Sequence, residues 1–433
     1  MVAFMTPLDD LSKLPVHDIL CIDCKSFYAS TEAIRRGEFP LAAKIAVMSH
    51  EESNGGLILA ASPIPKQQYR VKLGTRRYQI DDEMDIEMVE PRMADYIKKN
   101  YLINQIYQKY TDQQHWYPYS IDESFIDVTH SHKLFGPTSE IAARVQDEVF
   151  AKTGIITTVG IGENPLLAKL ALDNEAKYQE PWRANWTYQR VPETIWQIEN
   201  LTDFWSIGER TAKKLLALGI HNLYQLAHAD RARLHRKFGV LGDALYFHAW
   251  GIDYSTLERR YVPRQENKGY GNSQILMRDY NQLTEIETVL SEIADQVGTR
   301  LRKHHVQGEV VGISVGFAQP DDQGKKGFSA QTKISPTDQT KDLIQTVRYL
   351  FEQHWQGNTV RSLGVRVNRI SHRHALQLNL FESSARSEAN LLLDQTIDQI
   401  RDRFGYQSLI RGYSKTSGAT AISRSGLVGG HHG

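Results

Sequence analysis

The chain has 433 residues, and its 51 lysines and arginines are balanced by 51 aspartates and glutamates, so the formal net charge is zero. This length predicts several domains of about 100–200 residues each. The balanced charge excludes a uniformly basic nucleic-acid-binding protein, so any DNA-binding surface must arise from segregated charge. No apolar run approaches the ~20 residues of a membrane span, and Asp9 and Asp10 precede any long apolar stretch, which argues against a signal peptide.

The two cysteines, Cys21 and Cys24, form a C-x-x-C pattern. So few cysteines in a long chain argue against a disulfide framework and favour a reducing compartment, so a cytoplasmic protein is expected. A redox pair or half of a zinc site is the alternative. The pattern straddles the end of an apolar strand instead of opening a helix, and no second cysteine pair would complete a zinc site.

The first half of the chain alternates strand-like and helical stretches. Apolar runs predict strands over residues 18–24, 44–48, 57–61 and 157–161. Helical patterns cover 27–36 and 138–153, and Asn164-Pro165 has the residues of a helix start, a capping side chain followed by a proline. This alternation predicts an α/β sheet layer with helices behind the strands.

Three acidic residues lie in or at the end of apolar, strand-like runs. Asp23 follows one run, and Asp122 and Glu123 stand together in another. Three carboxylates on neighbouring strands would make an oxygen-only cage, which suits Mg²⁺ better than Zn²⁺. Two such ions can activate one oxygen and stabilise a leaving one in phosphoryl transfer. The ordinary alternative is a solvated acid at a strand end, and the aromatic pair Phe27-Tyr28 after Asp23 favours the metal site.

Charge is segregated between two stretches of the chain. Residues 81–90 are acidic, whereas the segment from Arg210 to Arg264 is rich in lysine and arginine. Residues 201–253 are helical with two glycine turns and predict a small α domain, and the charged residues 254–272 predict a linker. Because the basic residues coincide with turns that can approach phosphates, a DNA-binding surface is favoured over a merely solvated face.

The last third of the chain alternates again. Helical patterns over 283–305 and 340–355 and strand-like runs over 309–317, 327–334 and 361–370 predict a β-α-β-β-α-β order with both helices on one face of a sheet. The tail from Ser383 ends in Gly- and Ser-rich sequence and is expected to be flexible, apart from a short helix near 385–403.

Several motifs together resemble a known family. Asp23-x-x-x-Phe27-Tyr28-Ala29-Ser30-x-Glu32 with Ser120-Ile121-Asp122-Glu123 resembles the palm signature of Y-family translesion DNA polymerases. Three later segments match in the right order: Gly160 to Lys169, the Ile207-Gly208-Glu209-Arg210-Thr211-Ala212 turn, and Phe238-Gly239-x-x-Gly242. The resemblance covers residues 18–381 and lies closest to the bacterial branch that contains the catalytic subunit of DNA polymerase V. Each motif is short, and the ordered set supplies the specificity.

The resemblance implies a multidomain α/β fold, a right-handed polymerase with palm, fingers, a helix-hairpin-helix-like thumb and a βαββαβ little finger. The implied bounds are an N-terminal extension 1–17, palm 18–34 and 94–200, fingers 35–93, thumb 201–253, linker 254–272, little finger 273–382 and C-terminal tail 383–433.

For the palm, the resemblance implies two bound Mg²⁺ ions. Their ligands would be the catalytic acids Asp23, Asp122 and Glu123 and the backbone carbonyl of Cys24. Tyr28 stands at the family's steric-gate position, where a ring under the incoming sugar leaves no space for a 2′-hydroxyl. Phe27 and Tyr28 would both line the nucleotide site, and one of them is expected to be a core aromatic.

For the triphosphate, Lys169 matches the family's contacting lysine. The fingers depart from the family, because the usual Tyr and Arg ahead of a Gly-Val-Lys-x-Gly turn are absent from Ala61 to Gly74. Ser62 and Lys66 are the candidate phosphate contacts in their place.

Two further partners are implied, primer-template DNA and a sliding clamp. Glycine turns at helix starts can grip phosphates without reading bases, and the candidate DNA-binding residues are Gly208, Arg210, Lys213, Lys214, Gly239 and Gly242. The run Gln377-Leu378-Asn379-Leu380-Phe381 resembles the peptide with which bacterial polymerases bind the clamp.

The function implied is template-dependent addition of deoxynucleotides past damaged bases by an error-prone, SOS-type polymerase. Two alternatives are a DNA-binding or clamp-bound accessory protein with an inactive palm, and a two-metal nuclease. The intact Asp23, Asp122 and Glu123 argue against the inactive palm. Tyr28 argues against the nuclease, which has no incoming sugar to gate.

Overall fold

The structure is a computed structural model, and it describes residues 13–49, 56–258, 269–372, 384–428 and 431–432. The chain forms two compact units, residues 1–260 together with 431–433, and residues 261–430. Their boundary lies inside the predicted linker, and each unit has a buried apolar core of its own. Within the described ranges, no helix has the length and apolarity needed to cross a membrane.

The described residues of the first unit alternate strands and helices up to residue 186 and are helical after residue 208. The strands are β1 (Ile19–Cys24), β2 (Ile45–Ser49), β3 (Leu57–Ala61), β4 (Glu87–Val89), β5 (Trp116–Pro118), β6 (Glu123–Asp127), β7 (Thr157–Gly162) and β8 (Arg183–Trp186). The α-helices are α1 (Phe27–Arg35), α2 (Pro63–Tyr69), α3 (Met93–Tyr107), α4 (His132–Phe135), α5 (Thr138–Thr153), α6 (Pro165–Ala171), α7 (Glu209–Leu216), α8 (Leu223–Ala227), α9 (Arg231–Phe238) and α10 (Val240–Ala249).

The palm is a five-stranded sheet in the order β5-β6-β1-β7-β8, with β1 antiparallel to both of its neighbours. Side chains alternate between the two faces of β1. Ile19 and Cys21 belong to the core that contains α6, whereas Leu20 and Ile22 belong to the core that contains residues of α3 and α5. The sheet is therefore covered on both faces, and β1 is its central strand.

Helix α6 lies unusually close to strand β7. A Cβ atom at Gly160 would lie 2.0 Å from the carbonyl oxygen of Ala168, and one at Gly162 would lie 2.3 Å from the Ala168 nitrogen. The cap is the one predicted, because Asn164 accepts a hydrogen bond of 2.8 Å from the Leu167 N–H. These two glycines let the helix backbone rest on the sheet, which fixes the position of every α6 side chain.

The predicted fingers contain a three-stranded sheet in the order β3-β2-β4, with helix α2 between β3 and β4 in the chain. Ser62, just after β3, is completely buried. Its hydroxyl donates to the Ala43 carbonyl at 2.6 Å and accepts from the Ile45 N–H at 2.9 Å. In this conformation, the Ser62 hydroxyl links two segments of the fingers through backbone groups. It is therefore not available for the predicted phosphate contact.

The predicted thumb contains helices α7 to α10, and α10 packs against both α9 and α8. Gly239 ends α9 with φ of 64°, a left-handed backbone that favours glycine. Gly242 is buried, and a Cβ atom there would lie 2.3 Å from the Leu234 carbonyl oxygen. Gly242 therefore serves the close packing of α10 on α9, and its predicted contact with DNA is not supported by its position.

The second unit has the β-α-β-β-α-β order predicted for the little finger. Its main elements are β9 (Tyr270–Tyr280), α11 (Leu283–Lys303), β10 (Val306–Phe317), β11 (Gly327–Thr337), α12 (Thr340–His354) and β12 (Val360–His372). The sheet order is β11-β10-β12-β9. Both helices contribute to one core with the strands. Strand β9 starts at Tyr270, so the last residues of the predicted linker belong to the sheet.

The C-terminal tail is packed against α11, which corrects the expectation of a flexible segment. It contains α13 (Ser384–Phe404) and α14 (Ala421–Arg424), followed by the short strands β13 (Leu427–Val428) and β14 (His431–His432). Asp295 of α11 accepts hydrogen bonds from Arg401 at 2.7 Å and Arg411 at 2.9 Å. Glu292 accepts from the N–H groups of Thr420 at 2.8 Å and Ala421 at 3.0 Å. These buried bonds make the described tail residues a structural layer on α11.

Candidate active site

The three predicted catalytic acids lie at one end of the palm sheet. Asp23 and Glu123 are direct partners in the antiparallel pairing of β1 with β6. Direct partners point to the same face of a sheet, so their side chains share the face that carries α6. Asp122 immediately precedes β6, and its carbonyl accepts a 2.8 Å hydrogen bond from the Cys24 N–H. The backbone pairing alone therefore brings together acids that are about 100 residues apart in sequence.

Glu123 is held on both sides by buried neighbours. The Lys169 ammonium lies 2.8 Å from Oε1 and 2.9 Å from Oε2. The Cys21 thiol donates to Oε1 at 3.1 Å. Burial, together with the nearby charge of Glu123, raises the pKa of the Cys21 thiol well above its usual value, so it stays protonated and can donate.

Asp122 is the solvent-facing acid of the three. Its Oδ1 accepts a hydrogen bond of 2.6 Å from the Ser120 hydroxyl, and the same hydroxyl accepts from the Glu123 N–H at 3.0 Å. Ser120 of the Ser-Ile-Asp-Glu motif thus shapes the turn that precedes β6 and orients the first of the two acids.

Asp23 lies between like charges and one lysine. Burial raises its pKa from 3.8 to about 7, and the negative charges of Asp122 and Glu123 add to the effect, while the Lys177 ammonium opposes it. Lys177 Nζ lies 3.4 Å from Asp23 Oδ2 and 3.0 Å from Asp173 Oδ1. Burial is therefore the main cause of the raised pKa of Asp23.

This donor set fits hard divalent cations. Carboxylate oxygens are the ligands that Mg²⁺ prefers, and the pairing of β1 with β6 brings those of Asp23 and Glu123 to one face of the sheet. In the part of the chain that the structure describes, no group of three or more His, Cys, Asp or Glu side chains is already converged for a metal. The reason is visible in the hydrogen bonds, since Glu123 is bound to Lys169 and Asp122 to Ser120.

The two aromatic residues at the start of α1 differ in burial. Phe27 is buried in the palm core, with 2% of its surface exposed. Tyr28 is half-buried and stacks on Tyr96, with ring centroids 4.4 Å apart and planes 15° apart. The Tyr96 hydroxyl donates to buried Glu32 at 2.9 Å. Tyr28 therefore has a partly open ring with a fixed backing, as a steric gate requires.

Three lysines lie near Asp23 on the open side of the site. Lys66 of α2 donates to the Ser26 hydroxyl at 2.8 Å, and burial lowers its pKa while Asp23 opposes that effect. Lys25 donates to the Lys177 carbonyl at 2.9 Å and lies over the Trp182 ring. Lys66 was predicted, whereas Lys25 and Lys177 were missed.

Lys177 follows a stretch of π-helix over Leu172–Ala176 that continues α6. Such segments often occur at functional sites, because the wider turn re-aims the side chains that follow it. The signal in the sequence was the spacing Lys169, Asp173, Lys177, which places all three on one helical face. The structure points Lys169 to Glu123 and Lys177 to Asp23.

Comparison with known proteins identifies the family. Residues 22–173 match the model of the impB/mucB/samB family, and residues 267–380 match the model of its C-terminal domain. A UV-damage repair protein of Bacillus subtilis strain 168, UvrX, is 36% identical over 422 residues, covering 98% of this chain and 99% of the relative. A protein named DNA polymerase IV 2 from the same strain is 35% identical over 417 residues, covering 96% and 98%.

A DNA polymerase IV of Moorella thermoacetica is 32% identical over 402 residues, covering 92% of this chain and 96% of the relative. Among solved structures, a Y-family DNA polymerase chimera of Dbh and Dpo4 matches with a TM-score of 0.64 and 19% identity, covering 82% of this chain and 99% of that one. The chain belongs to the Y-family of translesion DNA polymerases. The predicted fold class and the predicted enzyme class, a DNA-directed DNA polymerase, are confirmed. The expected branch near the DNA polymerase V subunit stays a prediction.

The predicted DNA-binding residues of this Y-family polymerase differ in their exposure to solvent. Arg210, Lys213 and Lys214 are exposed on α7, and Gly208 is the exposed residue before that helix. Gly239 is partly buried at the turn between α9 and α10, and Gly242 is buried. The first turn and its cations are thus accessible to a phosphate backbone, whereas Gly242 is not. The predicted clamp-binding residues 377–381 lie outside the described residues.

Proposed function

We propose that this polymerase extends a primer past damaged template bases using two Mg²⁺ ions held by Asp23, Asp122, Glu123 and the carbonyl of Cys24. The observation that carries the proposal is the register of β1 and β6, which sets Asp23 directly opposite Glu123 at an accessible end of the sheet. When bound, the ions would lower the pKa of the primer 3′-hydroxyl and stabilise the pyrophosphate leaving group.

The chain's own residues orient the nucleotide. Tyr28, backed by Tyr96, excludes a 2′-hydroxyl from the space beneath the sugar, which favours deoxynucleotides. Lys66 and Lys177 supply positive charge beside Asp23, where the triphosphate would lie across the acids. Ser62 supports this arrangement from within the fingers through its bonds to the backbone.

The contacts with DNA are proposed from exposed residues of the thumb, and the contact with a sliding clamp is proposed from the sequence. Arg210, Lys213 and Lys214 would hold the DNA backbone without reading bases. Residues 377–381 would bind a sliding clamp. The mutagenic, SOS-type role and a cytoplasmic location complete the proposal, and two unpaired cysteines are in keeping with that location.

A primer-extension assay tests the proposal directly. Purified protein, Mg²⁺, all four deoxynucleotides and a primer annealed to an undamaged or an abasic template should give products one or more nucleotides longer on both templates. Shortened primers would favour the nuclease alternative. Binding of the primer-template without any change in primer length would favour an inactive palm. An Asp122→Ala variant is the control for contaminating polymerases.

A further inference from the structure

Lys169 and Glu123 form a buried ion pair beneath the catalytic acids. The ammonium contacts both carboxylate oxygens, at 2.8 and 2.9 Å, and also lies 3.0 Å from Asp173. Only 8% of each side chain, Lys169 and Glu123, is exposed. The resemblance assigns Lys169 to the triphosphate, but in this structure its ammonium is paired with the carboxylates of Glu123 and Asp173.

The backbone leaves Lys169 little freedom to turn outward. Every residue of α6 is buried. The helix rests on strand β7 through Gly160 and Gly162, where a Cβ atom would collide with the Ala168 backbone. Without bound ions, moving the Lys169 ammonium away would leave Glu123 as an uncompensated buried charge, which is strongly unfavourable. With ions bound, the buried α6 backbone still limits how far the ammonium can move outward.

Lys177 is placed differently. Its side chain is 31% exposed, and its distance to Asp23 is longer, at 3.4 Å. It follows the π-helical turn on the open side of the site. Lys177 can therefore exchange a carboxylate partner for a phosphate oxygen at small cost, whereas Lys169 cannot.

We propose that Lys169 is a positioning residue that orients the Glu123 carboxylate and offsets its charge, and that it does not contact the incoming nucleotide. This inference rests on the proposed function for its catalytic consequence. Cys21 on the neighbouring strand donates to Glu123 Oε1 at 3.1 Å, and the Lys169 ammonium lies 2.8 Å from the same oxygen. Both contacts hold the carboxylate in place. Groups that orient a metal ligand in this way affect rate through geometry.

The test compares Lys169→Met with Lys177→Met in single-nucleotide incorporation. Lys169→Met should lower kcat by about 10–100-fold while the KM for deoxynucleotide changes by less than about threefold. Lys177→Met should act mainly on KM, because it removes a contact with the substrate. If Lys169→Met instead raises KM with kcat preserved, Lys169 contacts the nucleotide and the proposal is overturned.

A second measurement does not depend on activity. Melting temperatures of Lys169→Met, Glu123→Gln and the double variant form a double-mutant cycle. The melting temperature of the double variant should fall by less than the sum of the two single decreases, and the difference should be about 2–4 °C or more. The reason is that removing both charges leaves neither of them unpaired. A single Lys169→Met variant that unfolds while the double variant folds also supports the pair. Additive losses would overturn it.

The two measurements separate this inference from the proposed function. A wild-type protein that fails to extend any primer would refute the polymerase activity. The melting cycle would still decide whether Lys169 and Glu123 act as a pair.

Discussion

Asp23 and Glu123 stand directly opposite each other across the pairing of β1 with β6, on the face of the palm sheet that α6 covers. Asp23 is the penultimate residue of the central strand, and Glu123 is the first residue of its neighbour. The catalytic geometry is therefore a property of sheet register. A slip of one residue would send one of the two acids to the opposite face, so the site depends on the buried pairing behind it.

Replacing Asp122 or Glu123 by alanine should abolish nucleotide incorporation, by about 10³-fold or more, since metal ligands contribute several kcal/mol to the transition state and 1.36 kcal/mol is tenfold in rate. The affinity for primer-template should stay near that of the wild type, because the proposed DNA contacts lie on the thumb. Incorporation is measured in Mg²⁺, and DNA affinity by titration of labelled primer-template in Ca²⁺. Persistent incorporation by Asp122→Ala would refute the assignment.

Tyr28→Ala should admit ribonucleotides, because it removes the ring that fills the space of the 2′-hydroxyl. Discrimination between the two sugars should fall by about 100-fold or more, equivalent to a clash of about 3 kcal/mol. Tyr28→Phe keeps the ring on Tyr96 and is the matched control. The ratio of incorporation efficiencies for the two sugars is the measurement, and an unchanged ratio in Tyr28→Ala would place the gate elsewhere.

Two thumb glycines should respond differently to alanine. Gly242→Ala should lower the free energy of unfolding by about 1–3 kcal/mol, because its Cβ would lie 2.3 Å from the Leu234 carbonyl oxygen and force α10 away from α9. A Cβ at Gly208 would meet no atom within 4 Å, so Gly208→Ala should leave stability nearly unchanged. Chemical denaturation of both variants checks the contrast. Equal stability losses would contradict it.

Replacing Asp394 in α13 tests whether the packed tail contributes to the stability of the second unit. Asp394 accepts hydrogen bonds from Arg411 at 2.6 Å and from the Thr340 N–H at 2.8 Å, and Arg302 lies 3.3 Å away. Asp394→Ala should destabilise the second unit by about 1–3 kcal/mol, since it leaves the buried Thr340 N–H without its acceptor and removes one carboxylate partner from Arg302 and from Arg411.

The matched control is Asp402 on the same helix, which faces Lys303 at 4.0 Å with both side chains more than two-thirds exposed. Asp402→Ala should cost less than about 1 kcal/mol. Unfolding of both variants in urea gives the comparison. If Asp394→Ala is as mild as the control, the tail is not integral to the fold.

Replacing Leu380 and Phe381 by alanine should remove most of the clamp affinity, because apolar anchors of a short peptide contribute about 2 kcal/mol or more each. Clamp-free extension and melting temperature should stay unchanged. Glu382→Ala, just beyond the motif, is the control. If the double variant loses stability and clamp-free activity together, these residues belong to the core of the little finger and the clamp assignment is wrong.

Much of this protein followed from local sequence. The strand that contains Asp23, the helix from Thr138 to Thr153 and the Asn164 cap are where the apolar period and the capping chemistry predict them. The motifs also predict the three acids, because acids within or beside apolar strands are informative, and their catalytic role stays a prediction. Local pattern determines these features, since they depend on neighbours within a few residues.

The tertiary structure decided what each charged group faces. The polar residues Glu285, Glu292, Asp295 and Arg302 lie along α11 and resemble a solvated face in sequence, yet they are buried. The tail forms hydrogen bonds with all four of them. Likewise, Lys169 and Lys177 are both lysines of one helical face, but only packing on Gly160 and Gly162 buries the first under Glu123 while the second stays open beside Asp23. Burial and ion pairing depend on segments far apart in the chain, so no local pattern could determine them.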